Sequence, residues 1–433
     1  MSPRRGAVRG SGDRRGGARS GTNRGRTGRQ HKQSAGLTRR AFLGAGLGAA
    51  GVLAAGGMAG TTFGFGRLNS IARHDPDRLA ELRADSIPLL FERFPRLIDH
   101  VPWLPLSTGP TPVEQLPDVA GASDISIFIK RDDTSSSICG GGAVRKLEFL
   151  LADAGAAGSR TVVGAGGTGT EFGLAAALHA RRIGASVRLA LFDQPVTPEV
   201  RRNLLGLAAS DAQLHYSRGI IRSLRDARGM HQESDASYFI VPGGSTRLGT
   251  FGLVNAAFEL AHQIRSGAGP EPDRIFVAAA TCGTAAGLIA GCRLAGLRSR
   301  VTAVRVAPLL PAHAVTIRAM ARDIIWFMHD VDHDVPRLGM GFDDFDLVTD
   351  QIGAGYGHPT EAGTAARAWA AHVPALEATC TAKALAACLH YCRTRARPGE
   401  TVLFWNTANG ASVPLAQPDS LPPALRAVLN RAS

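Results

Sequence analysis

The sequence predicts an α/β protein of two lobes built on parallel sheets, and three observations carry that prediction. Apolar runs of strand length alternate with amphipathic stretches of helix length from about residue 125 to residue 406, the pattern of parallel strands covered on both faces. The chain has 433 residues, more than one core comfortably holds. Its composition, 44% hydrophobic with 52 glycines, is that of a loop-rich globular architecture.

Taken in order, strands are expected at 125–130, 160–164, 186–192, 212–216, 238–241, 274–280, 300–307 and 401–406. Helices are expected near 144–157, 171–183, 197–209, 219–232, 249–265, 284–296, 312–327, 360–372 and 382–394. The expected boundaries are 105–146 with 246–433 for a larger lobe and 147–245 for a smaller one. Residues 61–104 read as a linker and helical cap, ending in the proline-rich His100-Val-Pro-Trp-Leu-Pro105.

A formal charge of +13 suggests nucleic acid until it is located. Residues 1–40 carry +11 of it, leaving the remainder near neutral. Residues 1–36 are Arg, Gly and Ser with almost nothing apolar, so they cannot build a core and are expected to be disordered. Specific nucleic-acid binding is not expected. Thr38-Arg39-Arg40-Ala41-Phe42-Leu43 resembles a twin-arginine export motif, and Ala41 to Gly60 follows without a charge. Residues 37–60 are therefore expected to be an export signal, or an anchor if uncleaved, with the twin-arginine machinery as partner and an extracytoplasmic location. The glycines of the run make it a poor spanning helix. Six cysteines (139, 282, 292, 380, 388, 392) show no framework spacing, and no metal site is expected.

The organising stretch is Lys130-Arg-Asp-Asp-Thr-Ser-Ser-Ser-Ile-Cys-Gly-Gly-Gly-Ala-Val-Arg-Lys-Leu-Glu148, a strand end, a charged turn, a small-residue loop and a helix start. It resembles the signature of the 1-aminocyclopropane-1-carboxylate (ACC) deaminase and D-cysteine desulfhydrase family, pyridoxal-phosphate (PLP) enzymes of fold type II, tryptophan synthase β-like. The family pattern is Lys-Arg-Asp-Asp, a spacer, then Gly-Gly-Asn-Lys-x-Arg-Lys-Leu-Glu. In that register Gly142 stands where the family has Asn, and Ala143 where it has the lysine that tethers the cofactor. After the glycine loop, Lys146 is the one amine left in the signature. It lies one helical turn on, about 4.5 Å along the axis, and reads either as a substitute tether or as a structural lysine paired with a carboxylate. Asp132 and Asp133 are expected to cap the turn and bind Arg145 or nearby amides.

Other ordered motifs extend the resemblance over about residues 105 to 415. Gly164-Ala-Gly-Gly-Thr-Gly-Thr-Glu171 stands at the family's second motif; Thr170 matches a serine used near substrate, or is a helix N-cap. Glu171 replaces the Asn that bonds the cofactor's phenolic oxygen, where a carboxylate would repel. Thr281, Cys282, Gly283 and Thr284 form a strand-to-helix turn whose amides and dipole suit an anion, and the resemblance implies the cofactor phosphate there. Pro242 to Gly249 matches a glycine loop of the family. Tyr356, in Tyr-Gly-His-Pro-Thr-Glu361, is the family's tyrosine over the cofactor, or an aromatic at the lobe interface. Thr381 keeps the hydroxyl that bonds the pyridine nitrogen, or caps the next helix, while Cys380 replaces a tyrosine. Asn406-Thr-Ala-Asn-Gly410 departs from the family's His-Thr-Gly-Gly. His329 to Asp334 is expected to be a solvated acidic loop after a helix.

The resemblance implies a lyase or deaminase of small amino acids, degenerate at the tether, with PLP binding weakened or lost. The alternative is a non-catalytic binder of an amino acid, phosphate ester or PLP. A homodimer stays open.

Overall fold

The computed structural model describes residues 87–119, 124–308, 312–373 and 375–430, all in the second of the two units into which the chain divides, Val52–Ser433. The expected disordered tail and export signal at 1–60 lie outside the described residues. Among the described residues no helix is long and apolar enough to cross a membrane.

Two sheets carry the architecture. The first has the order β1 (Val113–Gln115), β2 (Ser126–Lys130), β10 (Thr401–Trp405), β7 (Arg274–Ala279), β8 (Arg300–Arg305), β9 (Phe345–Val348). Every pairing in it is parallel except β1 with β2. The second is all parallel, in the order β5 (Gln213–Ser217), β4 (Ser186–Phe192), β3 (Thr161–Gly167), β6 (Ser237–Ile240). Strands such as Val402–Trp405 and Ile275–Val277 are buried on both faces, which is why they read as continuous apolar runs.

The helices are α1 (Leu89–Arg93), α2 (Gly142–Ala156), α3 (Glu171–His179), α4 (Pro198–Ala209), α5 (Ile220–Gln232), α6 (Arg247–Arg265), α7 (Gly283–Leu294), α8 (Ala314–Val331), α9 (Glu361–Trp369), α10 (Thr381–Thr394) and α11 (Pro423–Asn430). The eight strands expected from the pattern form, and β1, β9, α1 and α11 join them. β1 and β9 are too short and half-buried to show as apolar runs. α2, α6 and α7 pack backbone to backbone. A methyl at Gly252 would meet the Arg145 carbonyl oxygen at 1.8 Å, and one at Gly287 the Leu253 Cβ at 2.5 Å, so glycine lets these axes close up.

The 329–334 segment differs from the expected solvated loop. Asp332 is fully buried and accepts the Arg96 amide at 3.3 Å and the Asp334 amide at 3.1 Å, tying the N-terminal cap to the end of α8. A carboxylate is buried there because backbone amides satisfy it. All six cysteines are unbridged, and Cys388 and Cys392 are buried one turn apart on α10.

Candidate functional site

The charged turn is held by a buried ion network. Lys130, at the end of β2, gives its ammonium to Glu259 at 2.5 Å, to Gln263 Oε1 at 2.6 Å and to the Thr111 carbonyl at 2.6 Å. Arg145 bridges Asp132 (2.8 Å) and Glu259 (2.7 Å), and the Trp405 indole N–H donates to the other Asp132 oxygen at 2.7 Å. Burial works to raise Glu259, but the charges of Arg145 and Lys130 outweigh it and leave the carboxyl at about 2. Asp133 pairs with Arg131 at 2.9 Å instead. The expected Asp132–Arg145 contact is thus present, and β2, α2 and α6 meet in one rigid joint.

From that joint the glycine loop turns into α2 against the 406–410 loop. Gly141 has φ +94°, and a Cβ on it would lie 2.6 Å from the Thr407 carbonyl oxygen. The Gly142 amide donates to that carbonyl at 3.0 Å, and the Gly140 amide to Asn409 Oδ1 at 2.8 Å. A Cβ at Gly142 would touch Thr407 Cβ and Cγ2 at 3.1 Å, so the Thr407 side chain occupies space that a longer residue at 142 would need. Ala143 sits half-buried in the first turn of α2, packed against the core.

Lys146 corrects its expected carboxylate pairing. It is 5% exposed; its ammonium donates to the Gly243 carbonyl at 2.9 Å and lies 3.4 Å from the Ser245 hydroxyl. Burial pulls it down to about 8, against a small opposing effect of Cys282. Arg145, one position earlier, faces the carboxylates in its place.

Ser245 is the hinge of an anion cup. Its hydroxyl accepts the Gly283 amide at 3.2 Å, at the first position of α7, and lies 2.7 Å from the Thr281 hydroxyl. Cys282 precedes the helix with φ +70°, a left-handed conformation that turns the chain so the first-turn amides of α7 point to one spot. Thr281, Gly283 and Thr284 therefore stand where expected relative to a helix N-terminus. The Cys282 thiol is buried and pushed up to about 12, chiefly by burial. Sequence reasoning noted the 242–249 loop without singling out Ser245. Only the fold brings that loop onto the turn.

A cavity of about 60 Å³ is walled by Glu171, Gln194, Glu199 and Asn203 from the smaller sheet's side and by Tyr356, Glu377, Thr379 and Cys380 from the larger. Thr170 caps α3, its hydroxyl accepting the Gly173 amide at 3.1 Å. Glu171 accepts the Asn409 amide through one oxygen. Burial, then Glu377, push Glu171 up to about 8.

Thr381 corrects the expected cap. The helix there is capped by Glu377, whose carboxylate accepts the amides of Thr379 (2.6 Å), Cys380 (2.7 Å) and Thr381 (2.8 Å), and the Thr381 hydroxyl accepts the Glu377 amide at 2.9 Å. Tyr356 is half-buried at the lobe interface with Phe192, ring centroids 6.4 Å apart, and burial raises its phenol.

Glu199, Glu377, Asn203 and Ser245 were missed because isolated polar residues in helices and turns carry no signal of convergence. The Thr168 hydroxyl just after β3 and Asn406 Nδ2 just after β10 are buried without a hydrogen-bond partner, as is Asn203 Oδ1 within α4. Carboxyl ends of parallel strands are where open α/β sheets bind ligands.

Residues 104–408 match the family described as pyridoxal-phosphate dependent enzyme. Among curated relatives, nocardicin C-9' epimerase of Nocardia uniformis is 36% identical over 48% of this chain and 64% of its own length. A putative ACC deaminase of Pyrococcus abyssi is 29% identical over 51% and 65%, and D-cysteine desulfhydrase of Klebsiella pneumoniae 29% over 62% and 81%. The chain thus spans slightly under two thirds of the first two. An ACC deaminase homologue of known structure superposes with a TM-score of 0.62 at 23% identity, covering 79% of this chain and all of its own, which shows the fold. The donor set at the α7 turn (two hydroxyls, first-turn amides and an ammonium) fits the phosphate of that family's cofactor. The methyl group of Ala143 does not fit a covalent tether. The chain belongs to the pyridoxal-phosphate dependent enzyme family, with the two-lobed fold type II architecture and homologues among the ACC deaminases and D-cysteine desulfhydrases.

Proposed function

We propose that this chain is an exported, catalytically degenerate member of the ACC deaminase and D-cysteine desulfhydrase group that holds PLP by its phosphate and not by an imine to lysine. One observation carries the reading. Of the three described lysines, Lys130 is bound to Glu259, and Lys383 donates to the Ile352 and Gly355 carbonyls at 2.9 and 3.3 Å. Lys146 places its nitrogen on the Ser245 hydroxyl, at the phosphate end of the cleft. When bound, the cofactor supplies an electron sink for bonds at the α-carbon of an amino acid. Lys146, Thr281, Thr284 and the amides of α7 would hold its phosphate; no residue at 143 takes or returns a proton. Export rests on Arg39, Arg40 and the uncharged run after them.

Titration with PLP followed by borohydride and peptide mapping tests the reading. Wild type should bind with the absorbance of the free aldehyde and leave every lysine peptide unlabelled. Ala143→Lys should acquire a label at 143. A wild-type label at Lys146 would overturn the proposal. For export, a reporter fused after residue 60 should stay inside the cell when Arg39 and Arg40 are both changed to Lys; unaltered export would remove that part.

A further inference from the structure

The cavity between the lobes carries an electrostatic imbalance that the family's chemistry does not explain. Glu171 and Glu377 line the same cavity, and neither has an ion-pair partner among the described residues. Glu199, beside them, is paired with Arg367 at 2.6 Å. The Glu377 carboxylate accepts three backbone amides and makes no side-chain ion pair among the described residues. Two enclosed carboxylates facing each other are costly unless a proton or a cation comes between them. A second observation points the same way. Asn203 is 95% buried and lines the cavity; its amide nitrogen donates to the Gly169 carbonyl at 3.1 Å, and its Oδ1 has no partner. The lining thus offers acceptors and no cationic side chain, Arg202 acting on Glu171 and Lys383 on Glu377 only from behind it. At about 60 Å³ the space is well above the roughly 15 Å³ that a single water molecule needs.

We infer that this cavity is a subsite for a primary alkylammonium group, so that the chain selects an amine or diamine over a ligand presenting a carboxylate there. An ammonium has three donors and one positive charge. Glu171, Glu377 and Asn203 Oδ1 supply acceptors and the opposite charge, while a carboxylate at the start of α3 meets Glu171. The subsite rests on reading the cleft as this member's ligand site, and its test needs no cofactor.

Calorimetry of the full chain with ethylammonium and 1,3-diaminopropane, against acetate, Na⁺ and K⁺ at matched ionic strength, checks it. The amines should bind and acetate should not. Glu171→Gln should weaken the amines at least tenfold, and Asn203→Asp, which adds a charge in the same volume but gives up the bond to the Gly169 carbonyl, should tighten them. If Glu171→Gln does not fold, Asn203→Asp alone decides. Equal binding of Na⁺ or K⁺, or amine affinity indifferent to both variants, overturns the proposal. PLP is titrated separately by absorbance. If PLP abolishes amine binding and Glu171→Gln weakens PLP equally, the carboxylates serve the cofactor's ring nitrogen and the subsite fails. Loss of PLP binding alone would strike the phosphate-anchored reading and leave the amine result standing.

Discussion

The ammonium of Lys146 lies 3.4 Å from the Ser245 hydroxyl, and that hydroxyl accepts the amide that begins α7. A lysine of the signature helix is thereby joined to an anion cup assembled from two other segments.

Replacing Lys146 by Met should weaken phosphate and PLP binding about tenfold to a hundredfold, the loss expected of one charge-assisted hydrogen bond of roughly 1.5–3 kcal/mol. Affinity in the wild type should fall as pH rises through about 8, where the ammonium loses its proton. Stability runs the other way. The folded pKa lies below the unfolded 10.5, so the unfolded chain holds more protons between about 8 and 10.5, and Lys146 favours folding increasingly across that window. Lys146→Met should be more stable than wild type at pH 7, with the gap closing towards pH 10.5 in urea titrations.

Glu259→Gln should cost about 3–5 kcal/mol at pH 7, because it leaves two buried cations with one charged partner fewer. Its folded pKa of about 2 lies below the unfolded value, so its contribution is present above about 4.5 and is lost as pH falls through 2. The difference in unfolding free energy between variant and wild type should shrink over that range.

For Glu171 the sign reverses. Its folded pKa, about 8, lies above the unfolded 4.5, so the native state holds more protons and stability falls as pH rises from about 4.5 to 8. Burial and the neighbouring Glu377 and Glu199 work in this direction; the Asn409 amide and Arg202 oppose it. Glu171→Gln should lose less stability than wild type between pH 5 and pH 8.5, compared as denaturant midpoints.

Gly142→Asn restores the family's residue but presses on Thr407, whose Cβ and Cγ2 lie 3.1 Å from the new Cβ. It should destabilise by about 1–2 kcal/mol, the usual cost of overpacking. Adding Thr407→Ala, which removes Cγ2 but keeps Cβ, should recover part of that, a coupling expected of residues in contact. Additive thermal shifts would show that the two do not compete for space.

Much of the fold was legible in the chain itself. Runs such as Leu189–Leu191 and Val402–Trp405 announce buried parallel strands because they are apolar on both faces, and the 130–148 signature marks the turn before α2. What stayed hidden was short or half-exposed, as in β1 and β9. Of the two sequence readings of Lys146, the carboxylate pairing does not form, because its neighbour Arg145 holds Asp132 and Glu259. Thr381 has the type and position of a cap, whereas the Glu377 carboxylate, four residues earlier, accepts the first amide of α10.

By itself the sequence determined the α/β alternation, the family, the methyl group at 143 and the concentration of positive charge in the first forty residues, because period, residue type and charge are properties of the chain. Only the tertiary structure decided that Ser245 closes the anion cup, that Lys146 lies at its phosphate end, and that Glu171 and Glu377 share one cavity. Those relations join residues 36 to 206 positions apart, and burial sets their charges only after the lobes have met.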